Sequence, residues 1–103
     1  MSNYDQISSF IWNVCDDVLR ETHWYENGQK KEEIKYKNGK EDGLNSGWYE
    51  NGQKEWEGTW KDGEEDGIET HWYENGQKKE ETTYKFGKEI SSKEWNEDGS
   101  VKE

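Results

Sequence analysis

Seven residues, Trp24-Tyr25-Glu26-Asn27-Gly28-Gln29-Lys30, return letter for letter at 48–54 and again at 72–78, an interval of 24 residues both times. A worn fourth copy, Trp95-Asn96-Glu97-Asp98-Gly99-Ser100, follows after 23. Self-similarity at such a period marks a stacked array, in which each unit buries its surface only against its neighbours. Every other feature of the chain has to fit that constraint.

Only 26% of the 103 residues are hydrophobic and the net charge is −11, too little apolar matter for an ordinary globular core. On that measure alone the chain reads as disordered. Seven Trp and six Tyr argue otherwise, because most stand at repeated positions and supply amphipathic surface that a thin sheet half buries. The acidic excess belongs to the repeats. It disfavours direct binding to nucleic acid phosphates and to anionic membranes, and suits a solubilising surface, a basic partner or mimicry of DNA. Cys15, the single cysteine, makes no internal disulfide. No segment approaches the roughly 18 apolar residues of a membrane span. The N-terminus lacks the basic and apolar regions of a signal peptide, so a cytoplasmic location is expected.

Residues 1–20 differ from the rest. Ile7, Phe10, Ile11, Val14, Val18 and Leu19 fall on a helical stripe, with Ser2 as N-cap and Asp5 near the capping-box position. The spacing predicts an amphipathic helix over about 3–20, a unit of its own before an array over 21–103. Its stripe either caps the first exposed sheet edge or docks in a groove on another protein. Cys15 packs there as a small apolar residue. The stretch Ser2-Asn3-Tyr4-Asp5-Gln6-Ile7 through Phe10-Ile11-Trp12-Asn13-Val14 to Val18-Leu19-Arg20 resembles the extreme N-terminus of modification (methyltransferase) subunits of type I restriction-modification systems. That resemblance implies a docking helix and carries no activity, since the family's Asn-Pro-Pro-Phe type motif needs proline and this chain has none.

From Glu21 onward strands alternate with tight turns. Asn27-Gly28, Asn38-Gly39, Asn51-Gly52, Asp62-Gly63, Asn75-Gly76 and Asp98-Gly99 are the pairs that two-residue type I′ hairpin turns demand, both central residues needing positive φ. Phe86-Gly87 holds the equivalent slot with poorer turn chemistry and predicts a looser hairpin. Two-residue turns fix the register, and they place Trp56 opposite Gly47 and Trp60 opposite Gly43, an aromatic laid over a facing glycine. The same face carries Tyr25, Ile34, Tyr36, Tyr49, Tyr73 and Tyr84, the other Trp24, Leu44, Trp48, Ile68 and Trp72. Aromatics on both faces, set among Lys and Glu stems, predict a mainly β, single-layer antiparallel meander of stacked hairpins rather than a sandwich.

The repeat W-Y-E-N-G-Q-K-K-E, continued by Tyr36-Lys37-Asn38-Gly39-Lys40-Glu41-Asp42-Gly43 and echoed at 60–67, resembles the MORN-repeat variant of bacterial proteins often described as antitoxin components. The resemblance implies an elongated hairpin array used for binding, without catalytic residues. The third unit departs from it at Phe86-Gly87-Lys88-Glu89-Ile90-Ser91, where the Asp-Gly is lost, as suits a terminal capping repeat.

No constellation for chemistry stands out. His23 and His71 share a repeat position but should lie four strands apart, about 19 Å, too far to share a metal ion. Carboxylates such as Glu26, Glu50 and Glu74 are abundant, but a thin sheet offers little of the burial that acid catalysis requires. The chain is therefore expected to be a non-enzymatic protein-binding module, antitoxin-like or anti-restriction, without cofactor or metal. Its partner would be a toxin or a restriction-modification subunit, met through Phe10, Ile11, Val14 and Val18 of the leader and Trp48, Trp56, Trp60 and Trp72 of the sheet. Self-association through an open sheet edge is a further route. Two alternatives stay open: carbohydrate or choline binding by the Trp-Tyr doublets, which are similar to cell-wall-binding hairpin repeats, and a purely structural scaffold.

Overall fold

A computed structural model describes residues 18–103. Its strands are β1 (Val18–Trp24), β2 (Lys30–Lys37), β3 (Lys40–Glu41), β4 (Gly43–Trp48), β5 (Lys54–Lys61), β6 (Glu64–Glu65), β7 (Gly67–Trp72), β8 (Lys78–Lys85) and β9 (Lys88–Glu94). They form one antiparallel sheet in the order β1-β2-β4-β5-β7-β8-β9, with β3 on β2 and β6 on β5. The expected single-layer meander is what these residues build, and no helix occurs among them. The predicted helix falls mostly on residues outside the described range. Its last turn, however, is strand: Val18, Leu19 and Arg20 pair with Lys37, Tyr36 and Lys35. Once β2 offers an open ladder, inter-strand hydrogen bonds override the helical spacing of two apolar residues, and β-branched Val18 suits a strand.

The two classes of turn are chemically distinct. Asn38-Gly39, Asp62-Gly63 and Phe86-Gly87 have positive φ at both residues, the type I′ geometry. At Asn27-Gly28, Asn51-Gly52, Asn75-Gly76 and Asp98-Gly99 only the glycine is positive, which corrects the two-residue reading. There Gly28 N–H donates to Tyr25 O at 3.0 Å and Tyr25 N–H to Gln29 O at 2.8 Å, a three-residue loop whose last residue is left-handed. Asn27 is kept out of that conformation because its Oδ1 accepts from Gln29 N–H at 2.9 Å, a local side-chain turn.

A three-residue loop should invert every face beyond it, yet Trp56 still opposes Gly47 and Trp60 still opposes Gly43. The register shifts again between Gly47 and Trp48, where Glu55 is the extra residue of a bulge, and the second shift cancels the first. The same shift occurs at His23/Trp24 and His71/Trp72, making Lys31 and Lys79 the bulged residues. A loop and a bulge together thus do the work of a two-residue turn.

Asp42-Gly43 closes a unit by bending the chain. β2 meets β3 at Tyr36↔Glu41 but meets β4 only at Glu32↔Gly47 and Glu33↔Ser46. In the gap, Asn45 Oδ1 accepts from Lys35 N–H at 2.8 Å and replaces a missing ladder bond. Asn45 is fully buried, as are Thr22, Ser46 and Thr82 to within a few per cent, and Ile34 is the one buried hydrophobic among the described residues. Where the third unit lacks Asp-Gly, β9 runs alongside β8 from Lys88 to Glu94 with a single shift and forms a fully exposed edge.

A candidate protein-binding surface

The repeated heptad turns out to be the joint between units. Tyr25, Tyr49 and Tyr73 donate their hydroxyls to the carbonyls of Trp48, Trp72 and Trp95 at 2.6, 2.5 and 2.8 Å. Asn27, Asn51 and Asn75 donate Nδ2 to Glu50, Glu74 and Glu97 carbonyls at 2.9, 3.3 and 3.0 Å. The opposite edge is joined by Gly63 N–H to Glu41 O and Gly87 N–H to Glu65 O. Each loop is therefore tied to its counterpart one unit on, and Tyr, Asn and Gly have folding duties throughout.

Strand alternation and the pairing register sort the charged side chains by face. The front face, which bears Trp56 and Trp60, carries Glu21, Glu32, Glu41, Glu55, Glu65, Glu69, Glu80, Glu89 and Glu94, with Lys31 and Lys79 as its lysines. Those two lysines lie over the rings of Tyr25 and Tyr73. The back face carries Arg20, Lys30, Lys35, Lys54, Lys78 and Lys93 among others, opposed by Glu33, Glu57 and Glu81. Lys30, Lys54 and Lys78 pair with those glutamates at 3.4, 2.7 and 3.0 Å. Lys30 and Lys54 also flank the Trp48 ring at 5.6 and 5.9 Å. The overall charge of −11 thus conceals two faces of opposite sign.

The sheet candidates divide between these faces. Trp48 and Trp72 are half-buried on the back, Trp56 and Trp60 half-buried on the front with ring centroids 6.3 Å apart and planes at 75°, an edge-to-face pair. Trp56 lies over Gly47, as the register requires, and a Cβ there would collide with its indole. Trp60 opposes Gly43 but does not cover it: its ring leans toward Gly58, 2.9 Å from where a Cβ would stand, and Lys35 approaches Gly43 instead. Val18 pairs with Lys37 and lines a cavity of about 230 Å³ with Leu19, Tyr36 and Asp42. Phe10, Ile11 and Val14 lie outside the described residues.

One cluster escaped the sequence reading. Glu65 Oε2 also sits 2.9 Å from the Cβ position of Gly58, with Glu69 Cγ at 3.3 Å. Burial first, then a hydrogen bond with Glu69 and the charges of Glu69 and Glu41, push the Glu65 carboxyl up to about 8, so a thin sheet does bury a carboxyl. His71 Nε2 lies 2.9 Å from Glu69 Oε2. Tyr36 and Tyr84 are also raised, by burial and then by facing glutamates. His23 and His71 stand four strands apart in the sheet order. No group of three or more metal-ligating side chains occurs among the described residues.

Two stretches, residues 18–38 and 65–86, match the family model of the MORN repeat variant. No curated protein and no solved structure matches the chain. The matched stretches are the MORN-like first and third units, in which residues 21–33 and 69–81 are identical. The unit between them carries the departures: Gly47 for histidine, Trp56 for glutamate, Gly58 for Ile34 or Thr82, and Trp60 for tyrosine. The matches concern the repeat and bring no antitoxin or restriction-modification assignment. No helix among the described residues is long and apolar enough to cross a membrane.

Proposed function

We propose that the chain is a non-enzymatic protein-binding module whose repeats hold a recognition face built by the middle unit. The observation that carries this is the front face of that unit, where Trp56 and Trp60 depart from the repeat pattern and stand in a carboxylate field with few lysines. MORN repeats commonly mediate protein or membrane interactions, and half-buried tryptophans make good anchors. The choline and carbohydrate alternative loses ground at Trp48, whose ring is already flanked by the chain's own Lys30 and Lys54.

We propose the partner's class as well. A toxin, or a restriction-modification subunit engaged by the leader, is the version that the two sequence resemblances suggest. The test is affinity purification of the full chain from its native host, beside a front-face variant, Glu32→Lys/Glu80→Lys, and a back-face variant, Lys35→Glu. Recovery of one stoichiometric protein, lost in the front-face variant and kept in the back-face one, is expected. Absence of a stoichiometric protein partner would overturn the reading. A leader deletion must stop at residue 17, because Val18, Leu19 and Arg20 belong to β1.

A further inference from the structure

Where β1 enters the sheet, the cavity of about 230 Å³ opens beside Val18, Arg20, Lys35, Lys37 and Asp42. The pairing register puts Val18, Arg20, Lys35 and Lys37 on the back face. Three cations and one carboxylate therefore ring a floor of apolar carbon, made by Val18 and the stems of the basic side chains. Arg20 Nε is buried without a hydrogen-bond partner among the described residues, and Glu33 Oε2, 3.7 Å away, is too distant to accept from it. Further along the same face Leu44 stands 44% exposed. The cavity thus asks for apolar side chains that arrive together with carboxylates.

One stretch of the sequence has that composition and ends at the cavity's wall. Residues 1–17 carry Asp5, Asp16 and Asp17 with no Lys or Arg, and their apolar residues Ile7, Phe10, Ile11 and Val14 recur at intervals of three and four. We infer that the occupant of this cavity is the chain's own leader, residues 1–17, which brings those apolar side chains onto Val18 and sets Asp16 and Asp17 against Arg20, Lys35 and Lys37. An aspartate there supplies the acceptor that Arg20 Nε lacks. Tethering favours this occupant over a foreign one. Cys15, Asp16 and Asp17 alone separate Val14 from Val18, a reach of at most about 14 Å, and a segment held so close meets its seat at an effective concentration on the order of millimolar. The front face of the same unit, with Glu21, Glu32 and Glu41, repels the leader's aspartates. The inference goes beyond the protein-binding reading and does not depend on it, since the front face stays open; a partner that engages the leader has to displace it.

Cys15, the single thiol, reports on the cover. The rate at which an uncharged thiol reagent labels the full chain is measured under native conditions and in urea. Labelling of the native parent should be slow beside that of the unfolded chain, and about tenfold faster in Lys35→Glu/Lys37→Glu, which turns attraction into repulsion at the cavity. Lys85→Glu/Lys88→Glu makes the same change of charge on the back face of the third unit. There β8 lies four strands from β2, about 19 Å, and the rate should stay within about twofold because that distance exceeds a Debye length. Glutamates near a thiol raise its pKa and slow its labelling, so acceleration reads uncovering rather than local charge. Phe10→Ala should accelerate labelling with no change of charge at all. Circular dichroism confirms that the variants keep the sheet. Native labelling as fast as in urea overturns the inference, as does equal acceleration by the two lysine pairs or acceleration by neither. Protection that disappears on dilution also overturns it, since the occupant would then be the leader of a second copy.

Discussion

At Gly47 the indole of Trp56 occupies the space a side chain would need. Gly47→Ala should therefore destabilise the sheet by about 1–3 kcal/mol, the usual cost of overpacking, read as a lower urea midpoint with an altered tryptophan emission. Glu65 gives a pH signature. Its carboxyl, ordinarily titrating at 4.5, is pushed up to about 8 in the fold. Between those values the native protein holds a proton that the unfolded chain has released, so stability falls as pH rises through that window. Glu65→Gln should flatten the slope and raise the urea midpoint at pH 8.5 relative to the parent. Discounted for solvent screening, the gain is on the order of 1 kcal/mol; an unchanged slope would show that Glu65 titrates normally. The pairing of Trp56 with Gly47 was legible because it needs only the register. The Glu65–Glu69 pair was not, because the bend at Asp66-Gly67 carries β6 and β7 to different stretches of β5, and no sequence period encodes that offset.

Among the hairpins, the three type I′ turns differ in how well their first residue tolerates left-handed backbone. Asn38 and Asp62 accept it; Phe86, at φ 51° and 71% exposed, is strained. Phe86→Asn should stabilise the third hairpin by roughly 0.5–1 kcal/mol, measured by thermal or urea denaturation. A loss instead would mean that the Phe86 ring has packing of its own. The joints between units make an independent test. Tyr49→Phe removes one hydroxyl bond to Trp72 O and should cost about 1 kcal/mol, read in urea denaturation, whereas an unchanged midpoint would mean that the loops are not tied through it. The sequence shows the turn residues but not the turn type. Asn-Gly serves both classes here, and what separates them is whether Asn bonds its own backbone and the next unit, as Asn27 does, or sits left-handed, as Asn38 does. Helical spacing misread Val18, Leu19 and Arg20 because periodicity ignores the strand waiting to pair with them.

Over the whole molecule, net charge was the most misleading quantity. Summed along the chain it describes an acidic protein; sorted by the pairing register it describes a sheet with an acidic front, a basic back and further acids in the turns. Such a sheet has almost no apolar interior, and it holds together by ladder bonds, lysine stems over rings and the ties between loops. The first and third units, identical over 21–33 and 69–81, frame a middle unit whose substitutions place Trp56 and Trp60 on the front face. The account's central claim is that the repeated heptad builds the array while the middle unit's front face binds. The seven tryptophans make this directly measurable in the ¹H–¹⁵N indole spectrum of the full chain titrated with the protein partner recovered from the host. The account predicts that the Trp56 and Trp60 signals move together while Trp24, Trp48, Trp72 and Trp95 stay in place. Movement of Trp48 and Trp72 with Trp56 and Trp60 stationary would contradict it.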